Sequence, residues 1–206
     1  MERYYAKDYR RIAEEKCSPA SGNLAVIYLI YFLIILLLSG TSYIGVGAIA
    51  AILITGPLAL GLVYVTKDLF HSDVPSYQRM FDGFHRFGDA FVLMLLQGIF
   101  QFLWSLLFVI PGIVKSYSYA MAFYILDDEE GISANDAITK SREIMDGHKW
   151  ELFCLELSYI GWLILCTFTL GILSLWVQPK IAAAKYAFYL HITGKDQKVE
   201  QAETIE

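Results

Sequence analysis

Residues 23–38, NLAVIYLIYFLIILLL, contain no charged side chain, and this run restricts the fold more than any other stretch. A water-facing helix needs a polar side, and no periodicity in the run supplies one. Continued to Gly40, it is just long enough, at about 1.5 Å per residue, for a hydrocarbon core of about 30 Å when its flanks contribute. Further apolar runs cover Ile44–Val65, Ala90–Ile110, Ile113–Leu126, Leu152–Val177 and Ile181–Ile192. Across the chain, 56% of residues are hydrophobic, only 18% are charged and the mean hydropathy is +0.47. One core in a 206-residue domain does not absorb that much apolar surface, so the surplus faces lipid.

The fold class expected is therefore all-α, a polytopic transmembrane bundle of about six helices in three hairpins, with amphipathic cytoplasmic or interfacial helices. The spans fall at about 23–39, 44–66, 90–110, 112–126, 151–177 and 179–193, and the cytoplasmic segments at 1–22, 67–89, 127–150 and 194–206. Thirteen of the sixteen basic residues lie in those four segments. The positive-inside rule then places both termini in the cytoplasm. The first 22 residues are too charged for a signal peptide, so the first apolar run is expected to stay as an anchor. Pro57, Pro111 and Pro179 each read as the outer-side start of a returning helix, where a missing amide costs nothing.

Between the runs, helical periodicity returns. Tyr5, Tyr9, Ile12 and Ala13 share one face of a helix over residues 4–16, which either lies on an anionic membrane surface or packs on the protein's own loops. Tyr77, Phe81, Phe84, Gly88 and Phe91 recur at helical spacing and predict a single interfacial helix. Ser133 and Asp136 have capping-box spacing at the start of another, with Gly147 as its stop.

No catalytic signature is present: the chain has no GxSxG, P-loop, HExxH or DxD element, and neither a cofactor nor a metal is expected. A net charge of −5 argues against a nucleic-acid partner. Cys17, Cys154 and Cys166 have no metal or redox spacing and read as small buried residues. Ionisable residues inside apolar runs say more, because charge in hydrocarbon must be paired or hydrated. Glu156 and Lys185 lie at nearly matching depths on the last two runs and form a candidate intramembrane pair. Lys115 and Lys180 read as snorkelling toward the outer surface. Gln97, Gln101 and Ser105 form a polar stripe that either contacts a neighbouring helix or lines a path.

The segments PGIVKSYSYAMAFYIL, ISANDAITKSREIMDGHKWELFCLELSYIGW and FTLGILSLWVQPKIAAAKYAFY, with GFHRFGDAF at Gly83–Phe91, resemble a bacterial family of integral membrane proteins. That family carries only a domain-of-unknown-function label, number nine-seven-five. The most specific elements are Ser141, Arg142, Gly147, His148, Lys149 and Trp150; Tyr159 departs from a pattern that more often has Phe. The resemblance implies a multi-helix protein of the cytoplasmic membrane and supplies no catalytic residues. Physically, Arg142, His148, Lys149 and Trp150 suit a lipid phosphate or a membrane-protein partner, while the first three also suit the protein's own acids, Asp127 to Glu130. The function expected is a non-enzymatic lipid- or protein-binding component whose partners are membrane lipids and a membrane protein or second copy. The alternative is a small transporter or channel-like subunit.

Overall fold

The apolar runs are helical among the described residues, but several of these helices break where the run does not, and the count of six spans is not reproduced. The structure, a computed structural model, describes residues 4–41, 46–71, 74–107, 109–169 and 171–196, and contains no strand among them. In chain order the elements are α1 (Ala6–Cys17), α2 (Ser21–Thr41), α3 (Val46–Phe70), α4 (Tyr77–Phe81), a 3-10 turn (Asp82–Arg86), α5 (Phe87–Leu107), α6 (Val109–Tyr119), α7 (Ala122–Asp128), α8 (Ala134–Ile144), α9 (Lys149–Leu157), α10 (Ile160–Phe168) and α11 (Ser174–Ile192). Four stretches are long and apolar enough to cross a membrane: Ser21–Gly40, Ala50–Phe70, Tyr77–Leu106 and Lys149–Phe168. The connection at 42–45, with Gly45, lies outside the described residues.

Two compact units form, one from residues 1–28, 65–76 and 147–206, the other from 29–64 and 77–146. In the second unit, glycines on α3 let backbone meet backbone. A Cβ on Gly61 would lie 1.8 Å from the Met80 carbonyl oxygen, and one on Gly83 would lie 2.1 Å from that of Pro57. This approach explains why the interfacial helix expected across Tyr77–Phe91 is instead α4, a 3-10 turn and the start of α5: the chain bends at Gly83 to follow α3. Two of the three prolines also differ from expectation, while Pro111 stands near the start of a helix as expected. Pro57 and Pro179 sit inside α3 and α11 and Pro111 is the third residue of α6, so α3 is not interrupted at Gly56.

Helices α5 and α6 pack as a hairpin joined by polar groups. Gln97 donates to the Tyr119 carbonyl at 2.8 Å, and Gln101 to that of Gly112 at 2.8 Å and to Ser105 Oγ at 3.4 Å. At the base, Arg86 Nη1 donates to the Leu126 carbonyl at 2.6 Å. The return is broken between α6 and α7, and the fully buried Ser141 of α8 spans the gap, accepting from Met121 N at 3.2 Å and donating to the Ser118 carbonyl at 2.9 Å. Ser133 caps α8 by accepting from Asp136 N at 3.2 Å, and Gly147 takes the positive φ of 84° that the stop requires.

In the first unit, α1 is covered along the middle and end of its apolar face. Tyr9, Ala13 and Cys17 are buried, with the Tyr9 ring 5.5 Å from that of Phe188 on α11 and edge-on to it. The partner is α11, expected as a membrane span, rather than the loops, while Tyr5 caps the helix and stays exposed. The Tyr9 hydroxyl is buried with no hydrogen-bond partner, and burial, with Glu151 nearby, raises its pKa. Tyr9→Phe is therefore expected to leave the thermal midpoint unchanged or raise stability by about 1 kcal/mol, because an unpaired hydroxyl no longer has to be desolvated. Tyr9→Ala should lose about 3–5 kcal/mol through the cavity it leaves.

The run expected as one span over 151–177 is three pieces. α9 ends at Leu157, and α10 ends in a turn whose Gly171 has φ 84° and sends its amide to the Cys166 carbonyl at 2.8 Å. α11 begins at Ser174 rather than 179.

Candidate functional site

The first unit has an amphipathic groove where α1, α10 and α11 meet. One part, of about 100 Å³, is lined by Arg10, Glu14, Tyr159, Trp162, Trp176 and Lys180. A second, of about 180 Å³, shares Glu14, Trp176 and Lys180 and adds Cys17, Ser21 and Leu24. Helical spacing on α1 puts Arg10, Glu14 and Cys17 along one edge, while α11 presents Trp176 and Lys180 four residues apart on the other.

Each charge is positioned. Lys180 Nζ donates to Glu14 Oε1 at 2.9 Å. That bond and the lysine's charge hold the Glu14 carboxyl below its ordinary pKa. Arg10 lies over the Tyr159 ring, 5.2 Å from its centroid, and Nη1 donates to the Ser158 carbonyl at 3.3 Å. The break between α9 and α10 thus frees a carbonyl for an arginine of α1. Cys17 donates to the Pro179 carbonyl at 3.7 Å, and burial pushes its thiol pKa up to about 11, so it contributes shape rather than a nucleophile. Trp162 and Trp176 remain 46% and 45% exposed, leaving two indoles beside two cations. An arginine and a lysine with exposed tryptophans form an arrangement suited to an anionic headgroup.

The pairing of Lys180 corrects a depth expected from sequence. Had Lys180 snorkelled to the outer surface while residues 1–22 stayed in the cytoplasm, a bilayer would separate it from Glu14; the two are bonded. Only contact between segments 166 residues apart reveals this. Trp162 and Trp176, which bracket an apolar turn, were the available signal, since tryptophan favours the interface.

The other expected residues are placed as follows. Glu156 and Lys185 meet, with Nζ 2.6 Å from Oε1 and both side chains about a third exposed. Gln97, Gln101 and Ser105 serve the contact between α5 and α6 described above. Lys115 lies over the Trp104 ring at 4.6 Å. His148 Nδ1 is 3.1 Å from Glu151 Oε2, and Trp150 is exposed and packs on Phe153 at 5.1 Å. Arg142 is an exposed residue of the second unit, whereas His148 and Lys149 belong to the first. The acids Asp127 to Glu130 receive Lys140, which pairs with Glu129.

No curated protein and no solved structure matches the chain. One family model does, over residues 1–118 and 106–196, which takes in every described helix. The chain therefore belongs to the family described as protein of unknown function, DUF975.

Proposed function

We propose that the protein is a non-enzymatic, lipid-binding component of the bacterial cytoplasmic membrane, multi-pass with both termini in the cytoplasm, and that the groove between α1 and α11 holds the phosphate of an anionic lipid. The observation that carries this reading is the convergence of Arg10, Lys180 and two exposed indoles beside an exposed, uncharged α10. The cations provide charge for a phosphate, the indoles suit headgroup depth, and α10 offers an apolar surface to the attached chains. Glu14 is the built-in competitor, since it occupies Lys180 when no other anion does. Transport is the weaker reading, because Gln97 and Gln101 give their amides to carbonyls of α6.

The test is retention of phosphatidylglycerol by the full chain, measured by native mass spectrometry after gentle extraction. Each cation near an anionic headgroup contributes about 1 kcal/mol, so Lys180→Met and Arg10→Ala should each lower retention about fivefold. Glu14→Gln should raise it, because Lys180 is then unopposed. In the unaltered protein, acidification through the lowered pKa of Glu14 should also raise retention, and the Glu14→Gln protein should lack that rise. Equal retention in all of these proteins, or a fall in Glu14→Gln matching that in Lys180→Met, would show that the ion pair only braces the fold.

A further inference from the structure

The depth of α10 and α11 follows from what lies beside them. α1 runs antiparallel to α11: Cys17 bonds the Pro179 carbonyl, Glu14 bonds Lys180, the Tyr9 ring contacts that of Phe188, and the Tyr4 ring lies 4.4 Å from the His191 ring. These contacts tie Pro179–His191, about 18 Å of helix, to a helix that is charged on its outer side. The Arg11 and Glu15 side chains are 72% and 69% exposed. Charges so uncovered are not stable in hydrocarbon, so α1 lies in water or among headgroups, and α11 beyond Pro179 lies there with it. α9 is held in the same layer by Arg10 at Ser158 and by Glu156 at Lys185.

What remains for the hydrocarbon is the stretch from Ile160 to Val177, two short arms around the Gly171 turn. From Lys180 to Ile172 the rise is about 12 Å, against a core of about 30 Å. The surface of these arms is apolar: Ile164, Leu165, Phe168 and Ile172 are all exposed, with Trp162 and Trp176 at the polar ends of the arms.

The turn adds an independent observation. The amides of Thr169, Gly171, Ile172 and Ser174 donate to carbonyls of Leu165, Cys166, Thr169 and Gly171, and that of Leu173 to Thr169 Oγ1. In water a turn can leave amides to solvent, whereas in hydrocarbon each must be satisfied internally. This turn meets the stricter condition at every described amide.

We propose that α10 and the first turn of α11 form a re-entrant hairpin inserted into a single leaflet, the one on the α1 side, with the acyl chains of that leaflet as its partner and Ile172 near the bilayer midplane. The Glu156 and Lys185 pair then belongs to the polar layer, not the hydrocarbon. A hairpin that turns back leaves its ends on one side, as two crossings would, so both termini still share a face. The inference does not depend on any ligand in the groove.

The test uses the full chain in native membrane vesicles of both orientations, with Cys17, Cys154 and Cys166 replaced by alanine and one cysteine added, and a membrane-impermeant maleimide as probe. Glu15→Cys should react from one side only. Ile172→Cys should react from neither side, and only after detergent is added. Phe168→Cys repeats the measurement if the first variant does not accumulate. Reaction of Ile172→Cys or Phe168→Cys from the side opposite Glu15→Cys would show that the hairpin crosses. Reaction from the same side would show that it is not inserted. Either result overturns the proposal, whereas the dependence of phosphatidylglycerol retention on Arg10 and Lys180 is read separately and tests the groove.

Discussion

Gly61→Ala should lower the stability of the protein by about 3 kcal/mol or more, a fall of about 6–12 °C in thermal midpoint for a chain of this size. The cause is geometric. The added methyl carbon would lie 1.8 Å from the Met80 carbonyl oxygen and 2.6 Å from its carbon. The obstructing atoms are backbone, so no side chain can swing aside, and relief requires moving α4 away from α3. Gly83→Ala meets the same obstruction from the other element, with contacts of 2.1 Å to the Pro57 oxygen and 2.7 Å to the Gly61 nitrogen. It should cost a comparable amount. Gly22 is the control: it lies near the start of α2 with nothing within 4 Å of an added Cβ, so alanine there should be neutral or slightly stabilising. The comparison is made by thermal unfolding in one detergent, and a Gly61→Ala midpoint equal to that of Gly22→Ala would disprove close packing along this seam.

Ser141→Ala should cost about 2–3 kcal/mol, although it removes one oxygen. That oxygen serves two backbone groups, accepting from the Met121 amide and donating to the Ser118 carbonyl, at the break between α6 and α7 where neither helix satisfies them. Ser141 is 0% exposed, so water does not replace the hydroxyl, and unpaired buried groups each cost about 1–3 kcal/mol. Hydrogen exchange gives the local readout: the Met121 amide should exchange faster in the variant. Ser116→Ala removes an exposed hydroxyl bonded to Ile113 three residues back and should change neither measurement by much. Unchanged exchange at Met121 would mean that the break holds without its serine.

These two positions show what the sequence made legible. Apolar runs, the amphipathic face around Tyr9 and Ala13, the Ser133 cap and the Gly147 stop are local patterns, and the helices follow them. Glu156 and Lys185 were open to pairing because both interrupt apolar runs at similar depths from the expected cytoplasmic ends of those runs, near Trp150 and Thr193. Gly61 and Gly83 carry no such mark, since a glycine reads the same whether it faces lipid or a neighbouring carbonyl. The breaks at Ser158 and Ala120 are equally silent, because each depends on a polar group from a distant helix, Arg10 in one case and Ser141 in the other. The groove required Arg10, Trp162 and Lys180 to meet, and nothing in their spacing along the chain announces it.

The seam between α1 and α11 also has a consequence for synthesis. Glu14 and Lys180 are 166 residues apart, and at about 5–20 residues per second α1 is complete roughly 10–30 s before the helix that will cover it. Throughout that interval Tyr9, Ala13 and Cys17 form an unpaired apolar stripe on a charged helix anchored to the bilayer by α2. The nearest apolar surface is then the membrane itself, so α1 is expected to rest on the headgroups until α11 arrives.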